Sequence, residues 1–118
     1  MQTNIKATEL VLTPALKVYI EQKMAVIERL LKRFDASGQP ELWLEVARTT
    51  RHHHRGDVFM AEATLRLPSK ILRAKQEADN IRAAVDEVQS KLRLEIDKYK
   101  TQKVDRVRKI SARQKSGK

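Results

Sequence analysis

Residues 41–67 read ELWLEVARTTRHHHRGDVFMAEATLRL, and their pattern decides the fold. Leu42, Leu44 and Val46 alternate with Trp43, Glu45 and Ala47, the period-two signature of a strand with one face on a core. A polar turn containing Gly56 follows, and alternation resumes from Val58 to Leu67 through Phe59, Ala61, Ala63 and Leu65. Two alternating runs joined by a short polar segment predict an antiparallel hairpin.

Working outward, Pro68-Ser69 marks a second turn, and Ile71 to Gln76 alternates Leu72 and Ala74 with Arg73 and Lys75 as a short fourth strand. On the N-terminal side, Thr13 suits a helix cap and Pro14 the first helical position, where its missing N–H has no intrahelical role. Leu16, Ile20, Met24, Ile27, Leu31 and Phe34 then recur every three or four residues as one apolar stripe. Ser37-Gly38-Gln39-Pro40 ends that helix. Gln2 to Ala7 alternates weakly and reads as a first strand. A last stripe, Ile81, Val85, Val88, Leu92, Ile96 and Tyr99, opens after Asp79 or Asn80 as cap.

The predicted order is β-α-β-β-β-α, an α+β domain with a four-stranded mixed sheet and two helices on one face. The helix between the first two strands permits a parallel pair with a right-handed crossover, and the short turns make the later pairs antiparallel. No internal repeat is visible.

The chain has 118 residues, one domain's worth, with a formal net charge of +10. That balance points to a polyanionic partner, because each lysine or arginine laid on a phosphate releases condensed counterions. Charge is concentrated at the end: residues 1–99 carry 17 Lys and Arg against 14 Asp and Glu, and residues 100–118 carry 8 against 1. Residues 101–118 therefore read as a basic, flexible tail beyond a domain of residues 1–100, helical for a turn or two at most. Aromatic residues make up only 4%, which excludes a broad base-stacking platform. Without cysteine there is no thiol nucleophile, disulfide framework or thiolate metal site. No apolar run approaches the roughly 20 residues of a membrane span, so a cytoplasmic protein is expected, with no membrane partner.

Several basic residues are candidates for nucleic-acid contact. Arg29 and Arg33 share a flank of the first helix with Lys23 nearer its apolar edge, and Lys91 and Lys98 share a flank of the last. Antiparallel or oblique packing of the two helices would bring these rows into one basic groove, in contact mainly with phosphate. Arg48, Arg51, His52, His53, His54 and Arg55 crowd the hairpin tip, where they would enter an RNA crevice as donors or stay a solvated turn. Only His52 and His54 face the same way in extended chain and no carboxylate joins them, so no metal site is expected. Arg73 and Lys75, with Arg66, either extend a basic surface onto the sheet or serve only to discourage edge pairing. Asp86 with Glu87 and Glu21 with Glu28 sit among lysines at ion-pair spacings. With no phosphate loop, nucleophile motif or metal triad beside them, no enzyme, cofactor or small-molecule substrate is expected. Trp43 reads as sheet-face packing whose indole N–H needs a partner.

Three stretches carry a family resemblance: TPALKVYIEQKMAVIERL (13–30), FMAEATLRLPSKILRAKQEADNI (59–81) and AAVDEVQSKL (83–92). The phrase L-R-A-x-x-E-x-D at 72–79 followed by A-A-V-D at 83–86 is the most specific part. In this order and spacing the chain, over residues 2–100, resembles the ribosome hibernation-promoting factors, also called ribosome-associated inhibitors or sigma-factor modulation proteins. The resemblance implies a fold similar to the double-stranded-RNA-binding domain with an added first strand. It also implies a translation inhibitor that lodges in the mRNA and tRNA channel of the small ribosomal subunit, on ribosomal RNA. Lys17, Lys23 and Arg29 on the first helix, and Lys91, Lys98 and Lys100 on the last, fall where that family carries basic residues. The family usually has tyrosine where this chain has Arg82, and a glutamate-arginine pair where it has Arg93-Leu94, which alters local contacts there. It resembles the short form, without the added dimerisation domain, and is expected to be a monomer when free. Two other readings fit the charge: a general structured-RNA-binding module acting outside the ribosome, and a protein-interaction regulator whose basic tail meets an acidic partner.

Overall fold

The computed structural model describes residues 1–32, 40–50 and 57–116, with side chains described except at 50, 57 and 103–116. Along the chain run β1 (Gln2–Thr8), α1 (Pro14–Lys32), β2 (Glu41–Thr50), β3 (Asp57–Arg66), β4 (Ile71–Ala78) and α2 (Ile81–Ser116). The sheet has the order β1-β2-β3-β4, with β1 parallel to β2 and the two later pairs antiparallel. This is the α+β, four-stranded mixed-sheet architecture that the hydrophobic pattern predicts.

Local chemistry sets the boundaries. The Oγ1 of Thr13 accepts from the Leu16 amide at 3.2 Å, and its carbonyl accepts from the Lys17 amide at 2.9 Å, so Thr13 caps α1 with Pro14 at the first helical position. Asn80, rather than Asp79, caps α2: its Oδ1 accepts from the Ala83 amide at 2.8 Å. Glu9 leaves β1 with φ of 54°, a left-handed residue that turns the chain out of the sheet.

One face of the sheet holds Leu42, Leu44 and Val46, then Ala61, Ala63 and Leu65, then Leu72 and Ala74, all buried. Onto it pack Leu16, Ile20, Met24, Ile27 and Leu31 of α1 and Val85, Val88, Leu92 and Ile96 of α2, forming a single core. The alanines of β3 and β4 leave room for α2 to lie close over those strands. Burying a Leu, Ile or Val here contributes about 1.5–3 kcal/mol each, which gives α1 and α2 their fixed seats.

The helices run in the same direction. Every connection reverses the chain, so β2 and β4 point one way and α1 and α2 both point the other. Contacts between them keep step accordingly: Tyr19 and Lys23 meet Asp86, and Leu30 meets Lys100. Of the two packings that the sequence left open, the antiparallel one is thus wrong, because an even number of reversals separates the helices.

The last helix also differs from expectation. Its backbone stays helical through Ser116, well past Tyr99, where the apolar stripe ends. The reason is local: no proline or glycine occurs between Ile81 and Ser116, and this segment is rich in the helix formers Lys, Arg and Gln. Gly117 is the first glycine or proline after Pro68.

Candidate nucleic-acid interface

The seam between α1 and α2 gathers a cluster of polar side chains. From α1 come Tyr19 and Lys23, four residues apart; from α2 come Arg82, Asp86 and Gln89, at spacings of four and three. The Tyr19 hydroxyl donates to Asp86, and the Lys23 ammonium lies 3.2 Å from the same carboxylate. Gln89, 9% exposed, donates its Nε2 to the Lys23 carbonyl at 2.9 Å and locks the helices in register. The Arg82 guanidinium sits 5.0 Å and the Lys23 ammonium 5.4 Å from the centre of the Tyr19 ring, both within cation–π reach.

Asp86 governs the local titration. Its hydrogen bond, reinforced by burial and by its negative charge, raises the Tyr19 hydroxyl above the ordinary tyrosine value against the opposing pull of Lys23 and Arg82. The same carboxylate raises the Lys23 ammonium, with partial burial working against it. Both groups therefore stay protonated at neutral pH.

The same flank of α2 continues through Arg93, four residues after Gln89, and Lys100 a further two turns on. Arg93 is exposed. Lys100 spans the seam and donates to the Leu30 carbonyl at 3.0 Å, in the last turn of α1 at the negative end of its dipole. Arg82, Arg93 and Lys100 form a cationic edge along α2 on its α1 side, interrupted by Asp86 and by the exposed Asp97 four residues after Arg93.

The remaining expected residues are distributed differently. Arg29 is exposed on the outer side of α1, two turns from Lys23. Lys17 faces the β1 side of α1, in a cleft with Thr3, Ile5, Glu21 and Trp43. Lys91 lies on the opposite flank of α2, donating to the Lys75 carbonyl of β4 at 3.0 Å, and Lys98 stands 3.6 Å from Glu95. Among the described residues, Lys91 and Lys98 do not share a groove with Lys23 and Arg29, because the side of α2 that bears them faces away from α1. Arg33, Arg51, His52, His54 and Arg55 lie outside the described residues. Arg48 is exposed at the end of β2, beside the hairpin tip.

The uncovered sheet face is of mixed charge. The register sets Lys6, Glu45, Glu62 and Lys75 in one row across four strands, and Asn4, Trp43, Thr64 and Arg73 in the next. Arg73 and Lys75 are exposed, but Lys75 shares its row with Glu45 and Glu62 and Arg66 pairs in register with Glu41, so the face lacks a continuous basic field among the described residues. Trp43 lies half-exposed in its middle, and its indole N–H donates to Glu41.

Sequence reasoning did not single out Tyr19, Gln89 or the position of Arg93, and assigned Asp86 only to surface pairing. The spacing of Arg82, Asp86, Gln89 and Arg93 did place them on one flank. Which flank faced α1 required the direction of the helices.

Fold and seam together define a small α+β domain that carries an organised polar seam and a row of cations on the helical layer. The chain belongs to the family described as Sigma 54 modulation protein / S30EA ribosomal protein, which matches residues 3–104. It thereby takes its place among ribosome-associated proteins of ribosome hibernation and translation regulation. A ribosomal subunit interface protein from Coxiella burnetii is similar in structure, with a TM-score of 0.63 and 20% identity over 86% of this chain and 99% of that one. The N-terminal domain of Thermus thermophilus Protein Y gives 0.61 and 22%, over 84% and 99%. At these identities the likeness speaks for the fold. No curated protein matches the chain. Among the described residues, no helix is long and apolar enough to cross a membrane.

Proposed function

We propose that this protein is a hibernation factor that occupies the mRNA and tRNA channel of the small ribosomal subunit, without enzymatic activity, and so blocks translation. The observation that carries the reading is the cationic edge along α2: Arg82, Arg93 and Lys100 on a rigid helix, with Lys23 across the seam and Arg29 beyond it. Cations fixed on helices suit a folded RNA surface read by shape, since phosphate contacts give position and affinity without reading bases. Family membership supplies the ribosome as the polyanion. Lys17, Lys91, Lys98, Arg73 and Lys75 contribute more weakly, from other sides of the domain. Residues 101–118 serve as a basic arm that extends the footprint beyond the body. The free protein is a cytoplasmic monomer needing no cofactor.

The test is co-sedimentation with purified small subunits at moderate salt, against a variant carrying Lys23→Glu, Arg82→Glu and Arg93→Glu. The wild type is expected in the subunit fraction and the variant, folded by circular dichroism, in the supernatant. Bound protein should also prevent mRNA and initiator tRNA from joining the subunit. Isolated duplex RNA that competes as well as intact subunits would instead favour a general RNA-binding module.

A further inference from the structure

Asp86 is an acid set within a row of cations. Its carboxylate engages Lys23 at 3.2 Å and accepts from the Tyr19 hydroxyl, while Arg82 stands one turn away against the same ring. Its side chain is 46% exposed, so an incoming phosphate would meet it directly. A surface selected only for affinity toward a polyanion would not keep a carboxylate there, since a like charge repels phosphate and occupies a lysine that could otherwise release a counterion. Nor is the pair needed to hold the helices together: Gln89 ties α2 to the α1 backbone, Lys100 ties it again at the far end, and the core beneath is closed.

We infer that Asp86 is a specificity-determining residue, a counter-charge that withholds Lys23 and Tyr19 from loosely matching RNA. This rests on the reading of the seam as an RNA-binding surface. Arbitrary duplex RNA, touching a few cations, must meet a carboxylate where it would find a free lysine. A partner shaped to the whole helical layer gains enough elsewhere to take Lys23 from Asp86 or to leave the pair intact. Asp86 therefore lowers affinity for wrong RNA more than for the right surface, which is selection by an unfavourable contact.

The experiment compares wild type, Asp86→Asn and Glu87→Gln for binding to an arbitrary RNA duplex and to small subunits, across a salt series. Glu87 is exposed on the neighbouring, outward position, so its substitution makes the same change in net charge away from Lys23. Asp86→Asn is isosteric and keeps an acceptor for the Tyr19 hydroxyl. For duplex RNA, its salt dependence should steepen by nearly one counterion, so that affinity falls about threefold further than the wild type's between 50 and 200 mM salt. Affinity for subunits should change less, and Glu87→Gln should leave both nearly unaltered. Adding Lys23→Gln to Asp86→Asn should abolish the gain. An equal gain from Glu87→Gln, a gain that survives Lys23→Gln, or no gain in a protein with unchanged melting would each overturn the inference while leaving the parent reading in place. Failure of the wild type to bind either RNA or subunits would overturn both.

Discussion

Replacing Arg82 and Arg93 together by glutamine tests whether the α1-side flank of α2 is the surface that meets RNA. Both side chains are exposed, neither has an ion-pair partner among the described residues, and they stand eleven positions apart on one flank of a rigid helix. Each free cation laid on a phosphate contributes about 0.7–0.9 to the slope of log affinity against log salt, so losing two flattens it by about 1.6. Over a fourfold rise in salt from 50 to 200 mM, the double variant should lose about tenfold less affinity for small subunits than the wild type does. Arg82→Gln also removes a cation–π contact with Tyr19, a cost of about 0.5–1 kcal/mol that a thermal melt would show as a small shift. The comparison pair is Lys91→Gln with Lys98→Gln, on the opposite flank, where the ammonium groups already meet the Lys75 carbonyl and Glu95. Filter binding or sedimentation at four salt concentrations reads the slopes. If the second pair flattens the slope as much as the first, the assignment of the binding flank is wrong.

Leu92→Ala, at a position with no exposed surface, should cost about 2–5 kcal/mol in urea unfolding, since α2 cannot close the cavity against the sheet. Lys100→Met should cost about 1 kcal/mol by leaving the Leu30 carbonyl at the end of α1 without its charged donor, and should loosen protection of the last α1 amides in hydrogen exchange. Tyr19 and Lys23 are both raised by Asp86, so their linked stabilisation is complete below the ordinary tyrosine range, about pH 10, and is lost as pH climbs through their shifted values. Ultraviolet titration of tyrosinate should show Tyr19 ionising late in the wild type and earlier in Asp86→Asn.

The sequence revealed the fold almost whole because each element carries its own period. Leu42, Leu44 and Val46 could not sit on a helix face, and Ile20, Met24, Ile27 and Leu31 could not line a strand. Caps and turns at Thr13, Asn80 and Pro68 then fixed the breaks. The extent of α2 was less legible, because beyond Tyr99 no apolar stripe continues and backbone preference alone carries the helix. The proposed interface was legible as a set of basic residues and not in its arrangement. Composition pointed to a polyanion as partner, yet the side on which Lys91, Lys98 and Lys17 fall depends on the sense of α1 relative to α2. That sense comes from counting strand reversals, and helical periodicity contains none of it.

A count of cations overstates the surface available to RNA, because the fold itself uses several. Arg29 and Lys32 stand in the last turn of α1, at the negative end of its dipole, and Lys100 reaches across to Leu30. Lys23 is held by Asp86, Lys91 by the exposed edge of β4, and Lys98 by its neighbour Glu95. An edge strand with a lysine bonded to its carbonyl is a poorer template for another chain, so Lys91 also discourages sheet-to-sheet association. What distinguishes Arg82 and Arg93 is therefore less their charge than that, among the described residues, no carboxylate holds them in an ion pair, although Asp86 and Asp97 each stand one turn on. The fold uses some of its lysines and arginines at its own helix end and strand edge, and leaves a narrow row for the phosphate contacts proposed above. Substitutions within the first group should show in melting before they show in binding, and those within the second in the reverse order.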